Sequence, residues 1–284
     1  MPNKNNPLSG YFRSPKLYTK LPSQGKFYTP DVVEWPETGE LPVFPMTAKD
    51  EMIMKNPDAL LNGEAVAQVL ASCVPAVKKP RSLISNDADA LLLAVQCATF
   101  GDEVPVSGEC PKCNKSIESV ASIEVALETM TQLQETYKYD TDEGLTIEVR
   151  PFTYESTVKA GIANFQTTRS LQSIQAITDE IEQLKAFNQN FIQVAALNFD
   201  LIVDSVGSVS GKDAEGEEFL VTDRAHIREF LENCSTSIGK KVEESIAEVN
   251  KIGVNKIIQL ECEECEEPFT KEIGFDPVNF FTAS

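Results

Sequence analysis

Histidine is almost missing from this chain: His226 is the only one, and no His-Glu-x-x-His pair exists to hold a catalytic zinc. Gly-x-Ser-x-Gly, Walker and dinucleotide-binding patterns are absent too, so no common hydrolase, nucleotide or redox-cofactor signature is present. "SVGSVSG" offers glycine and serine, but it lacks the lysine and following helix of a phosphate cradle. His226 stands three residues after Asp223, a spacing that suits an N-cap and a helix-surface histidine rather than a catalytic dyad. No apolar run approaches the roughly 18 residues of a membrane span, and no apolar leader opens the chain. Bases are scarce: 25 Lys and Arg face 44 Asp and Glu, a net charge of −19. That balance argues against binding nucleic acid through its phosphates, which needs clustered cations.

Acids, in turn, are missing from the first thirty residues, which hold Lys4, Arg13, Lys16, Lys20 and Lys26. The result is a basic arm on an acidic body. Repeated prolines exclude long helix from residues 1–46 and keep them extended. Tyr11, Phe12, Tyr18, Phe27, Tyr28 and Trp35 give that stretch anchoring side chains. Such an arm wraps its own domain or docks on a partner, another copy of the chain included. Lys16, Tyr18, Lys20, Lys26, Phe27 and Tyr28 are its candidate partner-binding residues.

What remains has the composition of a globular protein, 42% hydrophobic and 24% charged. Helical sequence opens at "MTAKDEM", where Thr47 and Asp50 suit a capping box. Asn56-Pro57 and Asn62-Gly63 break the pattern into short helices. "SNDADALLLAVQCATFG" is a longer one, with Ser85 to Asp87 as caps and Gly101 as its stop. From Val104 the pattern alternates as strands do. "GLTIEVRPFTY" is a further strand running into helix. Ile174, Ile177, Ile181, Leu184, Phe191 and Ala195 follow the three-and-four spacing of helices packed side by side. A helical hairpin over 155–205 is expected, with a turn or polar break at "KAFNQN". "SVSGKDAEGEEFLVT" suits a β-hairpin or surface loop, and Asp223 caps another helix. "KKVEESIAEVNKIG" forms the last one, ending at Gly253.

Seven cysteines, an odd number without an export signal, do not make a disulfide framework. Cys73, Cys97 and Cys234 sit in apolar helical sequence as small buried side chains. The other four form "CPKC" (Cys110, Cys113) and "CEEC" (Cys262, Cys265), each entered by a strand and left by a polar strand. Two such knuckles face to face supply four sulfurs in a tetrahedron, which suits a structural zinc with no open position for water. Two separate redox dithiols and fortuitous free thiols are the alternatives. Neither pair opens a helix in a βαβ unit, as a thioredoxin-like motif does. A joint site requires the long insertion to return near its start, as an antiparallel helical hairpin would. The glutamates around the second knuckle (Glu261, Glu263, Glu264, Glu266, Glu267) form a solvated face, or a complement to the basic arm.

The expected fold is therefore α+β, a zinc-ribbon-like pair of β-hairpin knuckles with a mainly helical N-terminal region and a large helical insertion. Its segments are an arm over 1–46, a helical region over 47–103, and the first knuckle with its strands over 104–154. A helical insertion over 155–253 follows, and the second knuckle over 254–284 packs with 104–154.

"KLPSQGKFY", "VFPMTAKDEMIMKNPDALLNGEAVAQVLASCVPAVKKPRSL", "DADALLLAVQCATFG", "CPKC" and "LTIEVRPFTYES" together resemble the baseplate hub family of T-even-type contractile-tailed bacteriophages. The likeness covers residues 17–155 and the last cysteine pair, and is weakest over 160–250. It implies a non-enzymatic structural or assembly protein, made in the bacterial cytoplasm, with a role in building the hub of the tail baseplate. The implied partners are other hub, spike or tape-measure proteins. A zinc-ribbon regulator of nucleic acid or of host transcription machinery is the alternative function, disfavoured by the glutamates around the knuckle.

Overall fold

The computed structural model describes residues 6–272 apart from 176, 178 and 214. The arm is not extended throughout as expected: it opens with a 3-10 turn over Pro7–Tyr11, and turns join the short antiparallel pair β1 (Leu17–Thr19) and β2 (Leu41–Val43). Three helices follow, each started as its sequence dictates. Thr47 accepts from the Asp50 N–H and Asp50 reaches back, so α1 (Ala48–Met54) opens on a capping box. Asn56 caps α2 (Pro57–Leu61), whose proline takes a position where its missing N–H does no harm. α3 (Glu64–Cys73) follows Gly63, which is left-handed with φ 71°.

Helix α4 (Ser85–Phe100) is the axis of the molecule, with Leu91, Leu92, Leu93, Ala94 and Val95 all buried. A helix apolar all round must be covered all round. On one side lies a core of Leu21, Leu41, Val43, Val66, Val69, Leu70 and Leu83; each such side chain stabilises by about 1.5–3 kcal/mol when fully buried. On another, Leu93 and Cys97 meet Ile123 and Val254. Gly101 ends the helix as expected. The expected caps fall inside it instead: Ile84 holds the cap position without a side-chain bond, and Ser85, Asn86 and Asp87 form the first turn. Asn86 and Asp87 are buried because both are bound to other segments, as described below.

Next come the hairpin β3 (Glu103–Glu109) with β4 (Ser116–Ser122) and the short α5 (Ile123–Glu128). A four-stranded antiparallel sheet takes β5 (Tyr137–Asp140) and β6 (Thr146–Val149) from before the helical hairpin. It takes β7 (Val206–Lys212) and β8 (Glu218–Val221) from after it, in the order β5-β6-β7-β8. Ile147, Val149, Val206 and Val209 pack against Ile227 of α8 (Arg224–Asn233), and Ile238, Val242, Ile246 and Val249 of α9 (Thr236–Lys251) complete this core. The spacing of four, four and three in α9 is a helix burying one stripe. The architecture is α+β throughout.

Between β6 and β7 stand α6 (Tyr154–Gln175) and α7 (Glu180–Ser205). Because β6 pairs with β7, the hairpin leaves and re-enters the body at adjacent points. Its turn differs from expectation. "KAFNQN" lies inside α7, which starts instead at Asp179, whose carboxylate caps it through the N–H groups of Ile181 and Glu182. The capping carboxylate, not the polar run, sets the break. Nor do Ile181, Leu184 and Phe191 form the seam between the helices, since all three are exposed.

Two further strands, β9 (Ile257–Glu261) and β10 (Pro268–Glu272), form the last hairpin. The described C-terminal stretch is tied to the middle of the chain at several points. Asn86 Nδ2 donates to Val249 O at 3.1 Å and to Ile252 O at 2.6 Å, satisfying carbonyls that the end of α9 leaves open. The Thr131 N–H donates to Gly253 O at 2.8 Å, and Lys256 meets Asp89 at 2.5 Å.

Candidate metal centre

Strand β3 runs into Cys110 and strand β9 into Cys262, and the two turns that follow have the same construction. The Cys110 N–H donates to Lys115 O at 2.9 Å, and the Asn114 N–H to Cys110 O at 2.9 Å. In the second turn the Cys262 N–H donates to Glu267 O at 3.1 Å, and the Glu266 N–H to Cys262 O at 2.8 Å. Each turn is closed by a non-glycine residue in the left-handed region, Asn114 at φ 56° and Glu266 at φ 54°. The expected repeat is therefore present in backbone detail.

The turns bring their four sulfurs together. Cys110 and Cys265 stand 3.6 Å apart, Cys113 and Cys262 3.6 Å, and Cys113 and Cys265 3.7 Å. All three separations run between the knuckles, and all four sulfurs lie within 4.8 Å of one another. A tetrahedral ion bonded to four sulfurs at about 2.3 Å holds them about 3.8 Å apart, so the arrangement fits such an ion. Two independent dithiols would have no reason to face each other at this spacing.

Backbone donors prepare the site for thiolates. The amides of Cys113 and Lys112 draw the Cys110 thiol below its ordinary range, and the Cys265 amide does the same for Cys262. Although the Glu267 amide favours the Cys265 thiolate, desolvation and the three facing sulfurs push that thiol up to about 12. Four negative sulfurs at this range repel one another, and only a cation allows all of them to lose their protons.

The hairpins carrying the knuckles approach closely. A Cβ on Gly108 would meet Lys271 Cδ at 3.1 Å and Leu260 Cδ1 at 3.5 Å, so β3 presents bare backbone to the β9–β10 side chains. Lys271 Nζ donates to Ser107 O. Lys112 meets Glu267 at 2.8 Å, and Lys115 meets Glu264. The glutamates of the second knuckle thus find cations of the first; these exposed pairs are worth about 0–1 kcal/mol each and chiefly set register.

The arm residues divide. Tyr28 is turned inward, its hydroxyl donating to Asp87 Oδ2 at 2.6 Å and accepting from the Ile84 N–H at 3.0 Å. Ser23 binds the same carboxylate through its N–H at 2.9 Å and through its hydroxyl. Burial outweighs these donors and raises Asp87 to about 6. Phe27 packs on the core under the four-stranded sheet, and Lys26 donates to Leu133 O at 3.1 Å. Lys16, Tyr18 and Lys20 are exposed, Lys20 lying 3.8 Å from Glu40. Tyr18 and Lys20 line a groove of about 570 Å³ with Glu40, Glu124, Leu127 and Met130.

The sequence suggests Asn86 and Asp87 as caps and Arg13 as part of a basic arm, whereas all three are bound to other segments of the body. Arg13 donates to Pro45 O at 2.6 Å and to Ser72 O at 2.8 Å, and pairs with the buried Asp50 at 3.3 Å. An aspartate inside an apolar helix was the available signal for Asp87, since a buried carboxylate requires partners. Cys73 and Cys97 are buried as expected, and Cys234 is half-buried at the end of α8. Asp223 caps α8 through the N–H groups of Ala225 and His226, leaving the His226 ring exposed. A smaller group, Cys97 with Asp102 and Glu124, has another explanation: Asp102 accepts from the Glu124 N–H at 2.6 Å in the first turn of α5, beside its cap Ser122. Burial raises the Cys97 thiol, and Glu124 and Asp102 add to that.

No helix among the described residues is long and apolar enough to cross a membrane. A search of curated proteins and a search of solved structures both return no match. Residues 15–282 match a family profile described as T4 bacteriophage base plate protein.

Proposed function

The chain belongs to the T4 bacteriophage base plate protein family, and from that premise we propose that it builds or helps assemble the baseplate hub as a non-catalytic component. A single structural zinc, held by Cys110, Cys113, Cys262 and Cys265, ties the second knuckle to the first. The observation that carries the zinc assignment is the set of inter-knuckle sulfur separations, 3.6, 3.6 and 3.7 Å. Four thiolates fill a tetrahedral zinc and leave no place for water, so its contribution is to hold the fold. The site has the facing hairpins of a zinc ribbon, with glutamates where a nucleic-acid-binding ribbon carries cations. The hub assignment rests on the long arm and helix motifs quoted above.

The arm supplies the contact with neighbouring hub, spike or tape-measure proteins. Lys26, Phe27 and Tyr28 hold it to the body, leaving Lys16, Tyr18 and Lys20 for a partner that enters the groove beside Leu127. Affinity capture of the tagged chain from infected cells tests this. Hub or tail-tube proteins are expected with the wild type and are expected to be depleted with Tyr18→Ala/Lys20→Glu. Complete tails assembled by phage lacking the gene would overturn the role.

A further inference from the structure

The helical hairpin carries a face that the described residues leave uncovered. Toward α6, α7 turns the half-buried Gln183, Ala186, Asn190, Val194 and Leu197. Away from it, Ile181, Leu184, Phe191 and Ile192 are 62–67% exposed. Ile181, Leu184, Asn188, Phe191 and Ala195 repeat at alternating intervals of three and four, the spacing of a coiled-coil seam. A continuous apolar stripe of this size on a soluble chain marks an interaction surface.

We propose that this stripe joins two copies of the chain, with the two α7 helices antiparallel about a two-fold axis at Asn188. A two-fold at Asn188 sets four of the five stripe positions on the stripe itself or on the neighbouring Ile192, and the fifth, Phe191, on Lys185. Leu184 falls opposite the partner's Ile192, and Ile181 opposite the smaller Ala195 of the partner subunit. Asn188 falls opposite the partner's Asn188, where the two amides can bond to each other. Phe191 falls opposite the partner's Lys185, whose stem covers the ring while its charge stays in water. A two-fold interface requires such self-complementarity.

Charge favours this occupant and this direction. The chain carries −19, yet residues 156–199 hold three bases and three acids, and none of either lies between Lys185 and Asp200. Within 181–195 the charges are Glu182 and Lys185, one of each sign, so the contact carries no net charge. Val203 and Ser205 are buried in the body. About 15 residues of helix separate Asn188 from them, so antiparallel pairing sets the two acidic bodies roughly 45 Å apart. That is several Debye lengths at physiological salt, about 8 Å each. Parallel pairing would press the bodies together. The exposed parts of these side chains in two copies give on the order of 1,000 Å² of burial, the floor for a specific interface.

Sedimentation of the full chain with its metal tests the proposal. A concentration-dependent dimer is expected, with Leu184→Glu and Phe191→Glu each weakening it at least about tenfold and leaving the circular dichroism spectrum unchanged. Above the background of the unsubstituted chain, Asn188→Cys is expected to give an oxidised dimer and Ile181→Cys none. Three results would overturn the proposal: a wild-type chain still monomeric at roughly 100 µM, a dimer indifferent to both substitutions, or equal cross-linking at 181 and 188. Should a different phage protein occupy the same stripe in infected-cell extracts while the pure chain stays monomeric, the second-copy assignment fails.

Discussion

Asn114 and Glu266 hold the same left-handed backbone conformation, φ 56° and 54°, at the same place in the two cysteine turns. The conformation costs an ordinary L residue roughly 1–2 kcal/mol, and asparagine tolerates it better than glutamate. Glu266→Gly is therefore expected to raise stability by about 0.5–1 kcal/mol and Asn114→Gly by less, both with metal retained. Urea unfolding measures the difference. A loss of stability from Glu266→Gly would mean that its side chain matters more than its backbone.

The proposed zinc predicts one metal ion per purified chain and its loss in Cys262→Ser. Structural zinc commonly binds with about 10–16 kcal/mol of apparent free energy in small domains. Here α4 has its own cores, so chelation should loosen the corner rather than unfold the chain. Amide exchange is expected to speed up in 103–122 and 257–272 and to stay slow in α4. Uniform acceleration everywhere would contradict two separately held regions.

Asp87 makes stability depend on pH in an unusual direction. Its folded value of about 6 lies above the ordinary 3.8, so the folded chain favours the protonated acid. The contribution is complete below about pH 4 and disappears as pH rises through 6, a change of on the order of 3 kcal/mol. Asp87→Asn should remove this slope. Plotted against pH, wild-type stability minus that of Asp87→Asn should fall between pH 4 and 7. Parallel curves for the two proteins would refute the assignment.

Gly63 and Gly39 separate backbone strain from collision. Both are left-handed, at φ 71° and 72°, but a Cβ on Gly63 would run into Val158, whereas one on Gly39 meets nothing within 4 Å. Gly39→Ala is expected to cost about 1 kcal/mol and Gly63→Ala about 2–4 kcal/mol. Equal losses in thermal or urea unfolding would show that α6 gives way to the added methyl.

The parts legible in the sequence are those set by local chemistry. Thr47 with Asp50, Asn56 with Pro57, Asp223 and Gly101 mark helix ends because capping needs those side chains or that backbone freedom wherever they occur. The paired cysteine turns are legible because sulfurs two residues apart between strands have few other uses. Less legible was anything that depends on which surface finds a partner. The spacing of Ile181, Leu184 and Phe191 defines a stripe, but spacing is silent on whether α6 covers it, and α6 covers the opposite side. Asp87 could have been a cap by residue type; only the return of Ser23 and Tyr28 to the same spot makes it a buried anchor. The glutamates of the second knuckle found Lys112 and Lys115 because the sulfurs had already brought those turns together.

That closeness across a long span of chain also orders events in time. Cys113 and Cys262 are 149 residues apart. At a synthesis rate of about 5–20 residues per second, the first pair of sulfurs leaves the ribosome roughly 7–30 seconds before the second. Throughout that interval the early turn is half of a clamp whose other half has yet to be translated. The corner therefore closes only once the second turn has been translated, and a nascent chain cut short before Cys262 never acquires it.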